Sequence, residues 1–127
     1  MNGTNIVFDT CAVINLLNGK CDMSALGIDI GKAKLLTSVI VRMELLAKPN
    51  LPADEERDIR EFLNDLTVVP LDESVEQKAV EIRRATSVKL PDSIIAATAV
   101  VLDAILLTND DRLLKLSWPG LKLRSIA

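Results

Sequence analysis

The stretch that decides the fold of this chain is KLPDSIIAATAVVLDAILLTNDD, residues 89–111. Pro91 suits the first position of a helix over 91–102, because proline has no N–H to donate and its φ matches a first helical turn. Four residues at helical spacing are predicted to form one small, buried face of this helix: Ile94, Ala97, Thr98 and Val101. The nearly all-apolar run AILLT at 104–108 is typical of a central strand in a parallel sheet, where both faces are covered.

The same alternation of strand and helix extends outward in both directions. TNIVF at 4–8 predicts a strand that ends at Asp9, and AVINLL at 12–17 has helix-compatible spacing. Further elements are predicted as strands at 34–38, 67–71 and 121–126, and as helices at 39–47, 53–66, about 72–87 and 110–116. This order predicts an α/β chain whose parallel sheet is covered by helices on both faces. With 127 residues, the chain is expected to form a single domain over 1–127.

Four local features of the sequence give separate structural predictions. The segment 19–32 is predicted to form a short helix and a connection. Pro70 predicts an edge position or the end of a strand. The helix that follows it can open at Asp72 or at a capping box formed by Ser74 and Gln77. The helix after Ser38 is predicted to face the core through a set of apolar residues: Val39, Ile40, Met43, Leu46 and Ala47.

The composition limits the chemistry that the chain can perform. Histidine is absent, which removes the usual general base at neutral pH and the commonest zinc ligand, so carboxylates are the credible catalytic groups. Tyrosine is also absent, and with two phenylalanines and one tryptophan, base stacking is not the main binding device. The net charge of −3 gives no global attraction for nucleic acid, although a bound cation or a local basic patch can override it.

The cysteines and the apolar stretches indicate the compartment. Cys11 and Cys21 form neither a disulfide framework nor a CxxC motif, and no secretory leader is recognisable. Both are predicted to be free thiols in a reducing environment, with Cys11 as a small core residue. The most apolar stretch, 94–107, is interrupted by Thr98 and Asp103 and is too short to span a bilayer. We therefore expect a soluble, cytoplasmic protein with no membrane partner.

Four acidic residues lie at or beside the predicted turns from strand to helix: Asp9, Glu44, Asp92 and Asp110. Asp9 follows the first strand and Asp110 follows the fourth, so the two are neighbours if these strands are adjacent at the centre of the sheet. Helices that begin after other strands can bring Glu44 and Asp92 to the same edge. A cluster of carboxylates suits a hard cation such as Mg²⁺ or Mn²⁺, which prefers oxygen ligands and keeps several waters.

Each of these acids also has a purely structural explanation. Asp9 suits a helix N-cap, Asp92 is stabilised by the dipole of a first helical turn, and a mid-helix residue such as Glu44 is usually solvent-exposed. Asp110 and Asp111 both suit the cap of the short helix that follows. The prediction of a metal site therefore depends on the four acids meeting in space.

Other charged residues also have both a functional and a structural explanation. Basic residues near the predicted acids are candidates for phosphate contacts, although isolated basic residues on helices usually face solvent: Arg42, Arg83, Arg84 and Lys89. Five other acids are expected not to bind metal, because four lie at the start or on an exposed face of the 53–66 helix and one follows a predicted edge strand: Asp54, Glu55, Glu56, Asp58 and Asp72.

Four motifs, taken in chain order, resemble those of the PIN domain family. They are Asp9-Thr10 after the first strand, Glu44-Leu45-Leu46 in the second helix, PDSIIAATA at 91–99, and Thr108-Asn109-Asp110 after the fourth strand. The resemblance covers essentially the whole chain and is greatest to small, stand-alone VapC-type toxins of prokaryotic toxin–antitoxin pairs. It implies a three-layer α/β/α fold with a central parallel sheet of order 3-2-1-4-5. It also implies a Mg²⁺- or Mn²⁺-dependent ribonuclease that leaves 5′-phosphate and 3′-hydroxyl ends, a cognate antitoxin and a homodimer.

The resemblance also assigns roles to individual residues. Asp9, Asp92 and Asp110 are the expected metal ligands, with Glu44 orienting a water or a second ion, and Asp111 as a possible substitute for Asp110. Three hydroxyl residues are expected to support the acids: Thr10, Ser93 and Thr108. The chain departs from the family at Leu113-Leu114, where an aromatic residue is frequent, which affects the details of substrate binding rather than the metal site.

Two other classes of function fit less well. A PIN-like protein-binding or RNA-processing module with little toxin role does not require all four acids. A phosphoryl-acceptor domain of the dehalogenase type expects a second Asp where this chain has Cys11. A receiver domain expects its acceptor Asp at the third strand, where this chain has Pro70 and Leu71.

Overall fold

The computed structural model describes residues 4–20, 23, 27 and 30–126. Within them, five strands form one sheet: β1 (Asn5–Phe8), β2 (Lys34–Ser38), β3 (Thr67–Val69), β4 (Ile105–Thr108) and β5 (Lys122–Ser125). All neighbouring strands are parallel, and their order is β3-β2-β1-β4-β5. This confirms the predicted fold class, the order 3-2-1-4-5 and the edge position of the strand that precedes Pro70.

Every helix predicted outside the segment 19–32 is present in the described part of the chain. The helices are α1 (Thr10–Leu17), α2 (Val39–Leu46), α3 (Ala53–Asn64), α4 (Glu73–Ala85), α5 (Leu90–Val101) and α6 (Asp111–Leu114). A short 3-10 helix, Ile30–Lys32, ends the segment 19–32, and the rest of the prediction for that segment falls largely on residues outside the described ones. No described helix is long and apolar enough to cross a membrane.

Four of the helices begin behind a capping side chain that accepts a backbone N–H: Asp9, Ser38, Asp72 and Asp110. The Oδ1 atom of Asp72 accepts the N–H of Val75 at 2.9 Å, so Asp72 rather than Ser74 caps α4. Asp9 directly follows β1, and Asp110 lies two residues after the end of the adjacent strand β4. Two of the helix caps are therefore also residues of the predicted acidic edge.

The core-facing side of α2 differs from the prediction. Val41 and Leu45 are buried, whereas Met43 is 58% exposed and Ala47 is also exposed. Aliphatic residues surround this short helix, so spacing alone does not determine which stripe is buried. Packing against β2, β3, α3 and α5 determines it instead.

Helix α5 places its first turn at the carboxyl edge of the sheet. It contacts β1, β2 and β4 and is backed by α4, so residues 93–99 are all buried, whereas Val101, predicted to be buried, is 38% exposed. A tight turn at Asp103, whose φ is 52°, joins α5 to β4. Because the chain reverses there, the first turn of α5, with Asp92, lies toward the end of β4 that carries Thr108.

The corrected face of α2 can be tested by truncation. Val41→Ala removes buried methyl groups and leaves a cavity, so we expect a loss of roughly 2 kcal/mol in the free energy of unfolding. Met43→Ala, on the exposed side, should change it by less than about 0.5 kcal/mol. Urea denaturation of the two variants measures both values. A larger loss for Met43→Ala than for Val41→Ala would contradict this packing.

Candidate active site

The acidic edge, defined by Asp9, Glu44, Asp92 and Asp110, lies where β1 and β4 end side by side. Phe8 is paired with Leu107, and the N–H of Asp9 continues the ladder by donating to the Leu107 carbonyl at 3.2 Å. The chain passes from β1 to β2 on one side of β1, whereas β4 lies on the other side of β1. The strand order therefore reverses between β1 and β4. Ligands of parallel α/β sheets bind at such reversals, outside the carboxyl ends of the strands.

Asp9 is the most buried of the four acids, with 3% of its surface exposed. Its Oδ1 accepts the N–H of Ala12 at 2.8 Å, and its Oδ2 accepts the hydroxyl of Thr108. The Cys11 thiol lies 3.1 and 3.2 Å from the two carboxylate oxygens. Burial raises the pKa of Asp9, the hydrogen bonds oppose that rise, and the charge of Asp110 adds to it. Asp9 thus caps α1 and also faces a second acid.

Asp92 is the acid on which the charges of the other three all act. It is half-buried in the first turn of α5. Burial is the main cause of its raised pKa, followed by the charges of Asp110 and Glu44 and, more weakly, of Asp9. Arg112 acts in the opposite direction. The structure therefore places the other three predicted acids close enough to influence Asp92.

Glu44 is held at the exposed side of this group. Its Oε1 accepts the Thr10 hydroxyl at 2.7 Å, which links the start of α1 to α2. A mid-helix position in the sequence is typical of an unattached surface residue, but this hydrogen bond fixes the carboxylate beside the acidic edge.

Asp110 and Asp111 occupy different environments. Asp110 is half-buried, and its Oδ1 accepts the N–H of Arg112 at 2.9 Å and lies 3.7 Å from the Arg112 Nε. Asp110 raises the pKa of both Asp9 and Asp92. Asp111 is exposed at the start of α6. The geometry therefore favours Asp110 over Asp111 as the member of the acidic group.

The three hydroxyl residues expected near the acids behave differently. Thr10 and Thr108 donate to Glu44 and Asp9, respectively. Ser93 is fully buried and donates to the Leu90 carbonyl at 2.7 Å, so its hydrogen is directed to the helix backbone rather than to an acid.

Two residues near the acids were not identified as functional from the sequence. Cys11 is a free, half-buried thiol in contact with Asp9 rather than a core residue, and burial raises its pKa. Arg112 lies beside Asp110, two positions along α6. The signal was spacing: Cys11 and Arg112 each lie two residues after a capping acid, in the first turn of the helix that the acid caps. Cys21 lies outside the described residues.

The donor set fits a hard cation bound in an open site. Across the part of the chain that the structure describes, no group of three or more Cys, Asp or Glu side chains is placed to hold a metal ion by itself. Mg²⁺ is usually held by only one or two carboxylates together with waters and substrate phosphates, so a closed cage is not required. The charges of Asp110 and Glu44 raise the pKa of Asp92, so these carboxylates are a suitable set, because a cation relieves their repulsion.

The predicted basic residues do not converge on the acids in the same way. Arg42, Arg83, Arg84 and Lys89 are all exposed, and Arg83 and Arg84 lie in the last turn of α4, where a positive charge stabilises the helix dipole. Their contact with phosphate stays a prediction.

A groove of about 710 Å³ begins at the acidic edge and lies between α1, α2 and α3. Thr10 and Glu44 line the end that it shares with the acids. Its floor and walls are apolar: Ile14, Leu17, Leu45, Leu51, Ile59 and Phe62. Its rim carries further acids: Glu55, Asp58, Glu61 and Asp65. Ile14 is 43% exposed and Leu17 is 36% exposed, so the apolar surface is accessible.

Comparison with known proteins gives the class of the chain. The family model of the PIN domain matches residues 6–119. The chain therefore belongs to the PIN domain family, as its four motifs suggested. Among curated protein sequences, none matches it significantly.

Solved structures with the same fold include several toxin–antitoxin complexes. VapBC2 from Rickettsia felis, bound to a promoter DNA fragment, is 20% identical, with a TM-score of 0.81 over 96% of this chain and 98% of that one. DNA-bound VapBC from Salmonella typhimurium is 20% identical, with a TM-score of 0.78 over 98% and 99%. A toxin–antitoxin complex from Klebsiella pneumoniae is 25% identical, with a TM-score of 0.72 over 91% and 94%.

The raised pKa of Asp92 predicts how stability depends on pH without metal. A carboxyl group whose pKa is raised on folding contributes stability below its ordinary pKa of 3.8, and this contribution is lost as the pH rises through the raised value. Asp92→Asn removes the charge, so the metal-free variant should match the wild type in acid and be more stable at neutral pH. Denaturant titrations in chelator, from about pH 3 to about pH 7.5, measure the difference.

Glu61→Gln is a matched control, because it neutralises an exposed carboxylate on the groove rim. Measured over the same range, it gives the baseline for neutralising a surface carboxylate. An Asp92→Asn variant that becomes less stable relative to the wild type as the pH rises would contradict the electrostatic description of this edge.

Proposed function

We propose that this chain is a Mg²⁺- or Mn²⁺-dependent endoribonuclease that acts in the cytoplasm as the toxin of a toxin–antitoxin pair. The observation that carries the proposal is the electrostatic convergence of Asp9, Glu44, Asp92 and Asp110 at the end of β1 and β4. Membership of the PIN family supports a nuclease, and the likeness to toxin–antitoxin complexes supports the role of toxin.

The proposed ligands are Asp9, Asp92 and Asp110. When bound, the divalent ion supplies Lewis-acid chemistry, lowering the pKa of a bound water and neutralising phosphate charge. Asp9 is suited to a fixed role because its carboxylate is buried and restrained by three hydrogen-bond donors. Asp92 and Asp110 are half-buried and remain open to solvent and substrate.

Glu44 is proposed to orient the attacking water. Its exposed carboxylate is held by Thr10, which restrains one oxygen and leaves the other free to accept a proton from water. In the hydrolysis, the oxygen of water bonds to phosphorus, the bond from phosphorus to the 3′-oxygen breaks, and that oxygen takes up a proton. The products carry 5′-phosphate and 3′-hydroxyl ends, and no histidine is needed.

The proposed partner is an antitoxin that covers the acidic edge. The groove beside the acids fits an amphipathic segment, because its apolar floor is accessible and its rim is acidic. The rim favours a partner with basic residues flanking its apolar side. A small DNA-binding protein encoded immediately upstream would support this assignment over a housekeeping nuclease. A homodimer, expected from the family resemblance, remains a prediction.

The second candidate is a PIN-like module that binds protein or assists RNA processing with little catalysis of its own. The groove is compatible with it. The charged acidic edge favours the nuclease, since a protein-binding module gains nothing from mutually repelling carboxylates beside its groove.

The direct test is RNA cleavage by the purified chain with Mn²⁺. Asp9→Asn and Asp92→Asn should each lower the rate more than about 100-fold, because each removes a charged ligand. Circular dichroism should show that both variants remain folded. Asp111→Asn is the control, adjacent to Asp110 but exposed, and should cleave at nearly the wild-type rate.

Two outcomes separate the alternatives. Full activity in Asp92→Asn would contradict the metal-dependent mechanism. If Asp111→Asn lowered the cleavage rate as much as Asp110→Asn, the role assigned to Asp110 would belong to Asp111 or be shared by both residues.

A further inference from the structure

Two side chains connect the Asp9 carboxylate to the backbone of the turn that carries Asp110. The Thr108 hydroxyl accepts the N–H of Asp110 at 2.9 Å and donates to Asp9 Oδ2. The Cys11 thiol accepts the N–H of Asn109 at 3.2 Å and donates to the Asp9 carboxylate. Each side chain therefore receives one backbone hydrogen from the turn and donates its own hydrogen to the same acid.

The two connections approach Asp9 from different elements. Thr108 is the last residue of β4, whereas Cys11 lies in the first turn of α1, and their Oγ1 and Sγ atoms are 3.7 Å apart. Together with the Ala12 N–H, they give the carboxylate three hydrogen-bond donors. One hydrogen bond leaves a carboxylate free to rotate, whereas three donors restrict its rotation. The spacing of Asp9 and Asp110 therefore depends on both Cys11 and Thr108.

We propose that Cys11 is a positioning residue which, together with Thr108, fixes the Asp9 carboxylate relative to Asp110 and thereby sets the affinity of the site for a divalent cation. This inference rests on the proposed metal-dependent function. It gives Cys11 a role through Asp9 and none in contact with substrate.

The size of the effect follows from the behaviour of groups that orient metal ligands. Their removal typically lowers metal affinity or activity by about 10- to 100-fold. A thiol is a weak hydrogen-bond donor, so we expect Cys11→Ala to raise the Kd for Mn²⁺ about 10-fold, at the lower end of that range. Cys11→Ser should restore most of the affinity, because a hydroxyl donates and accepts in the same manner.

The experiment measures Mn²⁺ binding to the full chain without RNA, by calorimetry and by the rise in melting temperature with metal concentration. Val80→Ala truncates an exposed side chain in the middle of α4 and should leave the Kd unchanged. Thr108→Ala removes the other connection and should weaken Mn²⁺ binding in the same direction. It also serves if Cys11→Ala does not fold.

A second measurement needs no metal. Amide hydrogen exchange in the metal-free protein should show protection of the Asn109 N–H in the wild type and in Cys11→Ser, and faster exchange in Cys11→Ala. A purely structural role for Cys11 would change this exchange without changing the Kd for Mn²⁺.

The outcomes separate this inference from the proposed function. If the wild type binds Mn²⁺ but Cys11→Ala binds it equally well, or if Cys11→Ser loses as much affinity as Cys11→Ala, the inference is overturned and the nuclease proposal stands. If the wild type binds no Mn²⁺, the metal-dependent function fails, and the inference fails with it.

Discussion

The rest of the site depends on one constraint, which is the burial of a carboxylate at the junction of β1 and β4. Asp9 is 3% exposed, and a buried charge is costly unless it is hydrogen-bonded or paired. The surroundings supply donors from three places: the backbone of α1, the Cys11 thiol and the Thr108 hydroxyl. Two of these donors lie in α1, which follows β1, and the third lies at the end of β4. The hydrogen bonds that one buried acid requires therefore join the end of β1 to the end of β4.

The sheet order makes this junction possible. β1 is central, with β4 beside it, so the acid after one strand lies against the threonine that ends the other. The reversal at Asp103 brings the first turn of α5, with Asp92, toward the same edge. Asp110 and Glu44 complete an acidic group whose members raise the pKa of Asp92. Such a group favours a bound cation, which relieves the repulsion between its members.

Much of the fold was predictable from local sequence. Alternating apolar runs gave every strand and helix of the described residues, and Asp9, Ser38 and Asp110 lie at the predicted ends of strands. The order of the strands came from resemblance to the PIN family rather than from periodicity, because a pattern of strands does not by itself determine which strands are neighbours.

The remaining features depend on packing, which spacing does not determine. Aliphatic residues surround α2, so the burial of Val41 and the exposure of Met43 were set by its neighbours. Cys11 was predicted to be a core residue because the local sequence does not show whether a thiol packs against apolar side chains or donates a hydrogen bond. Among the described residues, no group of three or more Cys, Asp or Glu side chains is placed to hold a metal ion by itself, and the order of motifs in the sequence does not determine such side-chain geometry.

The most direct measurement is a crystal structure of the protein soaked in Mn²⁺ and recorded at a wavelength where manganese scatters anomalously. The central claim predicts an anomalous peak within about 2.3 Å of a carboxylate oxygen of Asp9 or Asp92, with waters completing the coordination. The absence of such a peak at millimolar Mn²⁺, or its appearance only at the surface acids of α3, would contradict the claim.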